Sequence, residues 1–114
     1  MAKEALFVYG TLKTRGRNHH LLKGLSGKRA VAPGIRLHQG PGYPYAIRGP
    51  GITKGEVYWV DRNILELIDA LEEHPHYYVR ERTTVILEDG ALIEVWIYLN
   101  PRAVLYPIVE EGCW

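Results

Sequence analysis

One cysteine, one serine, one phenylalanine and one methionine in 114 residues leave several kinds of chemistry without their reagents. Cys113 has no second cysteine to pair with, and beside Trp114 it reads as incidental rather than as a nucleophile. Ser26 sits in no GxSxG elbow, so serine hydrolysis has no foundation. The glycines form neither GxxxxGK[ST] nor GxGxxG, which removes the familiar phosphate loops. No apolar run approaches the roughly 20 residues that span a bilayer, and the opening MAKEALFVYG lacks the basic-then-apolar order of a signal peptide. A formal net charge of +1 supplies no broad field for nucleic acid or an anionic membrane. The expectation is a cytoplasmic protein with neither nucleic acid nor membrane as partner.

What the chain does have is tyrosine, glycine and proline. Eight Tyr and three Trp among 12 Gly and seven Pro suit a small curved sheet with tight connections. The length allows one domain over residues 1–114 with a real core. Ala5 to Tyr9 reads as a buried strand running into a turn at Gly10, Val31 to His38 as a second strand, and Glu56 to Val60 as a third. Between the last two, GPGYPYAIRGPG leaves room for turns and a brief extended piece at Tyr45 to Ile47. Tyr77 to Leu87 and Leu92 to Tyr98 read as strands joined by the hairpin turn Glu88, Asp89, Gly90. Asn18 to Leu22 suits a single helical turn capped by Asn18. The main helix is expected over Asp61 to His74, capped by Asp61 and stopped by Pro75. The fold class that follows is α+β: a small mixed β-barrel-like sheet carrying one main helix.

That helix contains the most informative residue. At about 100° per residue, Ile64, Leu65, Leu67, Ile68 and Leu71 fall in an arc of roughly 160°, and Glu72 falls inside it, about 40° from Ile68. Glu66, Asp69 and Glu73 project toward the side that faces solvent. A carboxylate on the apolar face must find a partner, line a polar cavity, or hold a proton through a raised pKa, and the last two suit a general base. The plainer reading is a rim carboxylate on a fraying last turn.

Two further clusters are weaker. His74 and His76 form an HxH pair and His19 and His20 are adjacent, but a zinc site wants three or four convergent ligands, so no metal and no other cofactor is expected. Lys13, Arg15, Arg17, Lys23, Lys28 and Arg29 form a basic cluster suited to an anion or to plain solvation. Tyr9-Gly10-Thr11-Leu12 is more suggestive. A strand ending in glycine exposes the next backbone amides, a donor nest for a carboxylate or an oxyanion, unless it is an ordinary strand-ending turn.

FVYGTLKTRGRNHHLL, Phe7 to Leu22, resembles the opening of the gamma-glutamylcyclotransferase-like family, whose first strand ends in a YG[ST]L loop. The YGTL followed by an Asn-His pair is most similar to the gamma-glutamylamine cyclotransferase branch. IDALEEHPHYYVR, Ile68 to Arg80, resembles the family's LDxxEG and the YxR after it, with Glu72 on the glutamate and Tyr78-Val79-Arg80 on YxR. GYPYAI and GEVYWV resemble intervening pieces, so the likeness covers roughly residues 5 to 100. Glu73 stands where the family has glycine, and the helical angle assigns the poised acid to Glu72. The resemblance implies a metal-independent, cofactor-free enzyme in which a γ-glutamyl group cyclises to 5-oxoproline, releasing an amine or amino acid. Glu72 would be the catalytic base, and Tyr9, Gly10, Thr11, Leu12 and Tyr78 would bind substrate, Tyr78 by donating a hydrogen bond or as a wall. The partner would be a small γ-glutamyl molecule, and the assembly a monomer or homodimer. The alternatives are a non-catalytic ligand-binding module of the same fold and an interaction protein using exposed tyrosines.

Overall fold

The structure, a computed structural model, describes residues 3–14 and 16–114. Five strands, β1 (Glu4–Val8), β2 (Lys28–Gln39), β3 (Pro44–Val60), β4 (Val79–Leu87) and β5 (Leu92–Leu99), close into a barrel in the order β1-β3-β2-β4-β5. Neighbours are antiparallel except where β1 meets β5, in parallel, at Leu6 and Trp96. The helix α1 (Arg62–Leu71) follows β3.

Alternation along the strands builds two cores. Phe7, Val57, Ile97 and Leu99 join Ala32, Ile35, Leu37 and Ala46 in one cluster, where alanines beside bulky side chains suit the interior of a small barrel. Their sequence neighbours Leu6, Val8, Tyr58 and Tyr98 face the other way and pack with Leu65 and Ile68 of α1. The strands beneath the helix are therefore apolar on both faces.

The stretch around Gly49-Pro50-Gly51 differs from the sequence expectation. It does not separate two short strands, because β3 runs unbroken through it for 17 residues. The register against β2 shifts between Pro33 and Ile35, and Gly34 and Gly51 take φ of 76° and 130° there. Glycine and proline collect at a bulge that bends a long hairpin, rather than at its end.

The helix is shorter than expected. Asp61 caps it by accepting from the Ile64 N–H at 2.8 Å, but it ends at Leu71 with Glu72 as C-cap. His74 N–H donates to Asp69 O and Glu73 N–H to Ala70 O, the paired bonds of a Schellman ending, with Glu73 in the left-handed region at φ 55°. The apolar arc is also only partly buried: Leu65 and Ile68 are covered, whereas Leu67 and Leu71 are exposed. β4 begins at Val79, two residues later than expected, and the Glu88–Gly90 turn forms as expected, with Asp89 accepting from Ala91 N–H at 2.9 Å. His19–Leu22 is a 3-10 turn at whose start Asn18 makes no side-chain cap bond. Residues 101–114 cover the barrel rather than the cavity described below: Gln39 N–H and Val109 N–H bond across to Pro107 O and Leu37 O, and Lys54 N–H donates to Gly112 O. No helix among the described residues is long and apolar enough to cross a membrane.

Candidate active site

A cavity of about 220 Å³ lies where β1 runs out, between the Tyr9–Leu12 loop, the C-terminal end of α1 and a wall of tyrosines. That is below the usual range for drug-sized ligands and suits the head of a small metabolite. All six residues expected to form the site, Glu72 with Tyr9, Gly10, Thr11, Leu12 and Tyr78, line it together.

The loop's shape follows from its glycines. Lys13 N–H donates to Gly10 O and Asn18 N–H to Thr11 O, closing the segment on itself. A Cβ on Gly16 would lie 2.1 Å from Thr11 O, so only glycine permits this closure. Asn18 Nδ2 donates to the Thr11 hydroxyl at 2.9 Å and His19 Nδ1 lies 2.9 Å from Leu12 O, so these side chains fasten the loop. The N–H groups of Gly10, Thr11 and Leu12 meet no acceptor among the described residues. They are donors without internal work, on a loop that lines a cavity.

Across the cavity, Glu72 is half-buried at the last turn of α1, and among the described residues its carboxylate has no hydrogen-bond or ion-pair partner. Burial pushes its pKa up to about 7. Of the five tyrosines that line the cavity, three have hydroxyls committed as donors elsewhere in the fold: Tyr9 to Tyr98 O at 2.5 Å, Tyr78 to Pro44 O at 2.7 Å, and Tyr98 to Asp69 Oδ1 at 2.5 Å. Burial holds all three well above the ordinary phenol range, with the Glu72 charge adding to it. Of the two roles open to Tyr78, donating into the pocket is therefore unavailable, because Pro44 O holds its proton.

Asp69 is a correction. It does not face solvent but forms a bidentate pair with Arg80 at 2.8 and 3.1 Å. Asp69 stands about 40° past Leu65, at the edge of the buried arc, close enough to reach β4. The Arg80 guanidinium stacks 4.2 Å above Trp96, and the Arg80 backbone N–H donates to His74 Nδ1 at 3.0 Å. This network ties the turn after α1 to β4 and so fixes where Glu72 stands. Sequence reasoning missed Tyr98, whose only signal is its alternation with Ile97 and Leu99, and missed Tyr43 and Tyr77 on the cavity wall, whose hydroxyls meet at 2.8 Å.

The basic cluster disperses. Arg17 lines the cavity, Lys13 and Arg29 line a separate groove with Cys113, Lys28 lies over Trp59, and Arg15 lies outside the described residues. Among the described residues no three His, Cys, Asp or Glu side chains converge as a metal site would require.

Residues 6–114 match the model of the family described as gamma-glutamyl cyclotransferase, AIG2-like. The chain belongs to that family. It is 40% identical to the gamma-glutamylaminecyclotransferase of Bos taurus, over 93% of this chain and 73% of that protein. It is 36% identical to a "putative gamma-glutamylcyclotransferase" of Methanocaldococcus jannaschii, over 96% of this chain and 93% of the relative. In fold it is similar to the crystal structure of an AIG2-like protein from Mus musculus, with a TM-score of 0.82 at 24% identity, covering all of this chain and 89% of the other.

Within this gamma-glutamyl cyclotransferase fold, the departure at Glu73 acquires a physical meaning. The position is the left-handed residue of the helix ending, which glycine occupies freely and a side chain only at a cost of about 1 kcal/mol. Glu73→Gly is expected to raise stability by up to about 0.5 kcal/mol, after allowing for glycine's freer unfolded chain. Thermal melting checks this, and an unchanged or lower Tm would show that Glu73 has compensating contacts.

Proposed function

We propose that this protein is a γ-glutamyl cyclotransferase whose cavity closes a γ-glutamyl group into 5-oxoproline. The observation that supports it best is a half-buried carboxylate with its pKa raised to about 7 on the same small cavity as three backbone amides, none of them with a partner among the described residues. The substrate's own α-amine is the nucleophile. Its nitrogen bonds to the carbonyl carbon of the γ-amide, the oxygen on that carbon takes up the charge, and the bond from the same carbon to the departing nitrogen then breaks. Of the three ammonium protons, one stays on the lactam nitrogen and two end on the departing amine. Glu72 removes the first and returns it to the leaving nitrogen, and the second follows through water or the same carboxylate. The Gly10, Thr11 and Leu12 amides hold the substrate carboxylate or the tetrahedral oxyanion. Fixing amine and carbonyl near contact in a pocket of this size favours ring closure over release.

Release of 5-oxoproline from a panel of γ-glutamyl amines and amino acids tests the reading, and binding without release on every member would establish the ligand-binding module instead. Because the reaction needs an ionised Glu72, kcat/KM is expected to rise with pH through about 7 and to fall away below it. A profile flat from pH 5 to 8 would remove Glu72 as the base. With the nucleophile inside the substrate and no convergent metal ligands among the described residues, turnover is expected to survive exhaustive chelation. Loss on chelation with recovery on adding one divalent ion would overturn that.

A further inference from the structure

The cavity has a closed side and an open one. Phe7, Val8, Leu12, Pro44, Tyr78 and Tyr98 on its lining are buried, whereas Arg17, Leu71 and Glu73 are exposed and Tyr43 and Tyr77 half-buried, so these last five stand round the mouth. Ring closure decides which part of a substrate lies there. The five-membered lactam takes in the α-nitrogen and every carbon from the α-carbon to the amide carbonyl. Beyond it lie the α-carboxylate and whatever the departing nitrogen carries. A space of about 220 Å³ holds little more than that head, so the departing group passes through the mouth.

Arg17 is the only cation among the described residues on this lining, and none of them forms an ion pair with it. The backbone on either side of it is held, since Gly16 N–H donates to Lys13 O at 2.7 Å and Asn18 N–H to Thr11 O at 2.9 Å. Its side chain therefore leaves the loop from a fixed point. The head makes no call on this charge, because the Gly10–Leu12 amides answer a carboxylate and Glu72 an ammonium. The rest of the mouth offers an anion nothing: the Tyr43 and Tyr77 hydroxyls meet each other at 2.8 Å, Leu71 is apolar, and Glu73 at the helix ending repels it toward the loop. We infer that Arg17 is a specificity-determining residue that binds a carboxylate on the departing group, so that γ-glutamyl amino acids are preferred to γ-glutamyl alkylamines. A guanidinium presents paired N–H donors that match the two oxygens of a carboxylate. Arg17 touches none of the reacting atoms, so its contribution is to the choice of substrate. Because the pair forms in an exposed mouth, its effect is moderate and is weakened by salt.

This inference rests on the proposed function for the direction in which the substrate lies, and its test separates the two. γ-Glutamyl-L-alanine and γ-glutamylethylamide have the same head, and their departing groups differ only by the carboxylate. Values of kcat/KM for 5-oxoproline release are measured on both for the wild type, Arg17→Gln and Arg17→Lys, at low and at high salt, with a melting curve for each protein. Dissociation constants of both are measured by calorimetry in Glu72→Gln protein with and without Arg17→Gln. The wild type is expected to favour the alanine compound by about fivefold or more at low salt, Arg17→Gln to lose most of that ratio, and Arg17→Lys to keep part of it. The wild-type preference is expected to shrink as salt rises from about 0.02 to about 0.5 M, and the Arg17→Gln ratio to stay level. A wild type without the preference overturns the inference and leaves Arg17 a solvated charge. An Arg17→Gln protein that weakens both compounds equally also overturns it, and assigns Arg17 to the head or to the loop's shape. Release of no 5-oxoproline from either compound, with tighter binding of the alanine compound that Arg17→Gln abolishes, would refute the reaction and leave the role of Arg17 standing.

Discussion

Glu72→Gln is expected to lower turnover by about 10²–10⁴-fold, and at the same time to make the protein more stable at alkaline pH. The two effects have one cause. The carboxylate sits half-buried without an ion-pair or hydrogen-bond partner among the described residues, and burial raises its pKa from 4.5 to about 7. The folded state therefore binds a proton more tightly than the unfolded chain. Between those two values stability falls as pH rises, since the native state holds the proton that the unfolded state has lost. Below about pH 4.5 the carboxyl is neutral in both states and costs nothing; above about pH 7 the whole penalty is present, up to about 3 kcal/mol. The neutral amide keeps the shape and omits the charge. Melting curves of wild type and Glu72→Gln should converge near pH 4 and separate above pH 7, with the variant higher, while 5-oxoproline release collapses. A folded Glu72→Gln protein with near-normal turnover would end the general-base assignment. Glu73→Gln is the control: the adjacent acid also lines the cavity but is exposed at the helix ending, and with Glu72 as the base its neutralisation should leave turnover within a few-fold.

Glu72 was legible in the sequence because a helix projects its residues at a fixed angle, and the position fell between those of Ile68 and Leu65, the two helix residues that are fully covered. The same angle undervalued Asp69, since angle alone does not say that a strand carrying Arg80 lies against that edge of the helix. The barrel could be anticipated from glycine, proline and tyrosine, but not the 17-residue span of β3. A bulge and a turn use the same residues, and only the pairing partner distinguishes them. The donor directions of the tyrosines were out of reach for a similar reason. Tyr78 bonds to Pro44 O and Tyr98 to Asp69, contacts 34 and 29 residues apart that no local pattern encodes. What the sequence conveyed well was local geometry. What it withheld was which distant group completes each polar atom.

Gly10→Val is the substitution expected to do most damage on the other side of the cavity, and the reason is steric before it is chemical. A Cβ on residue 10 would stand 2.8 Å from Pro44 Cγ and 3.0 Å from its Cδ, closer than real side chains pack. Valine's two methyl groups enlarge the conflict, so either Pro44 or the loop must move. If Pro44 moves, its carbonyl leaves the Tyr78 hydroxyl; if the loop moves, the Gly10, Thr11 and Leu12 amides lose their setting on the cavity. Either response disturbs a wall of the site, and a displacement of about 1 Å in catalytic positioning is enough to cost about 10²-fold in rate. Gly10→Val is therefore expected to lower kcat/KM by about 10²-fold or more. Thr11→Ser, which keeps the oxygen that Asn18 Nδ2 bonds, should be nearly silent, and Thr11→Val should cost about 1 kcal/mol of stability for the lost bond with only a few-fold change in kcat/KM. Steady-state kinetics on a γ-glutamyl substrate, with a melting curve for each protein, makes the comparison. A folded and fully active Gly10→Val protein, or a folded Thr11→Val protein without turnover, would move the interaction from the backbone amides to the threonine hydroxyl.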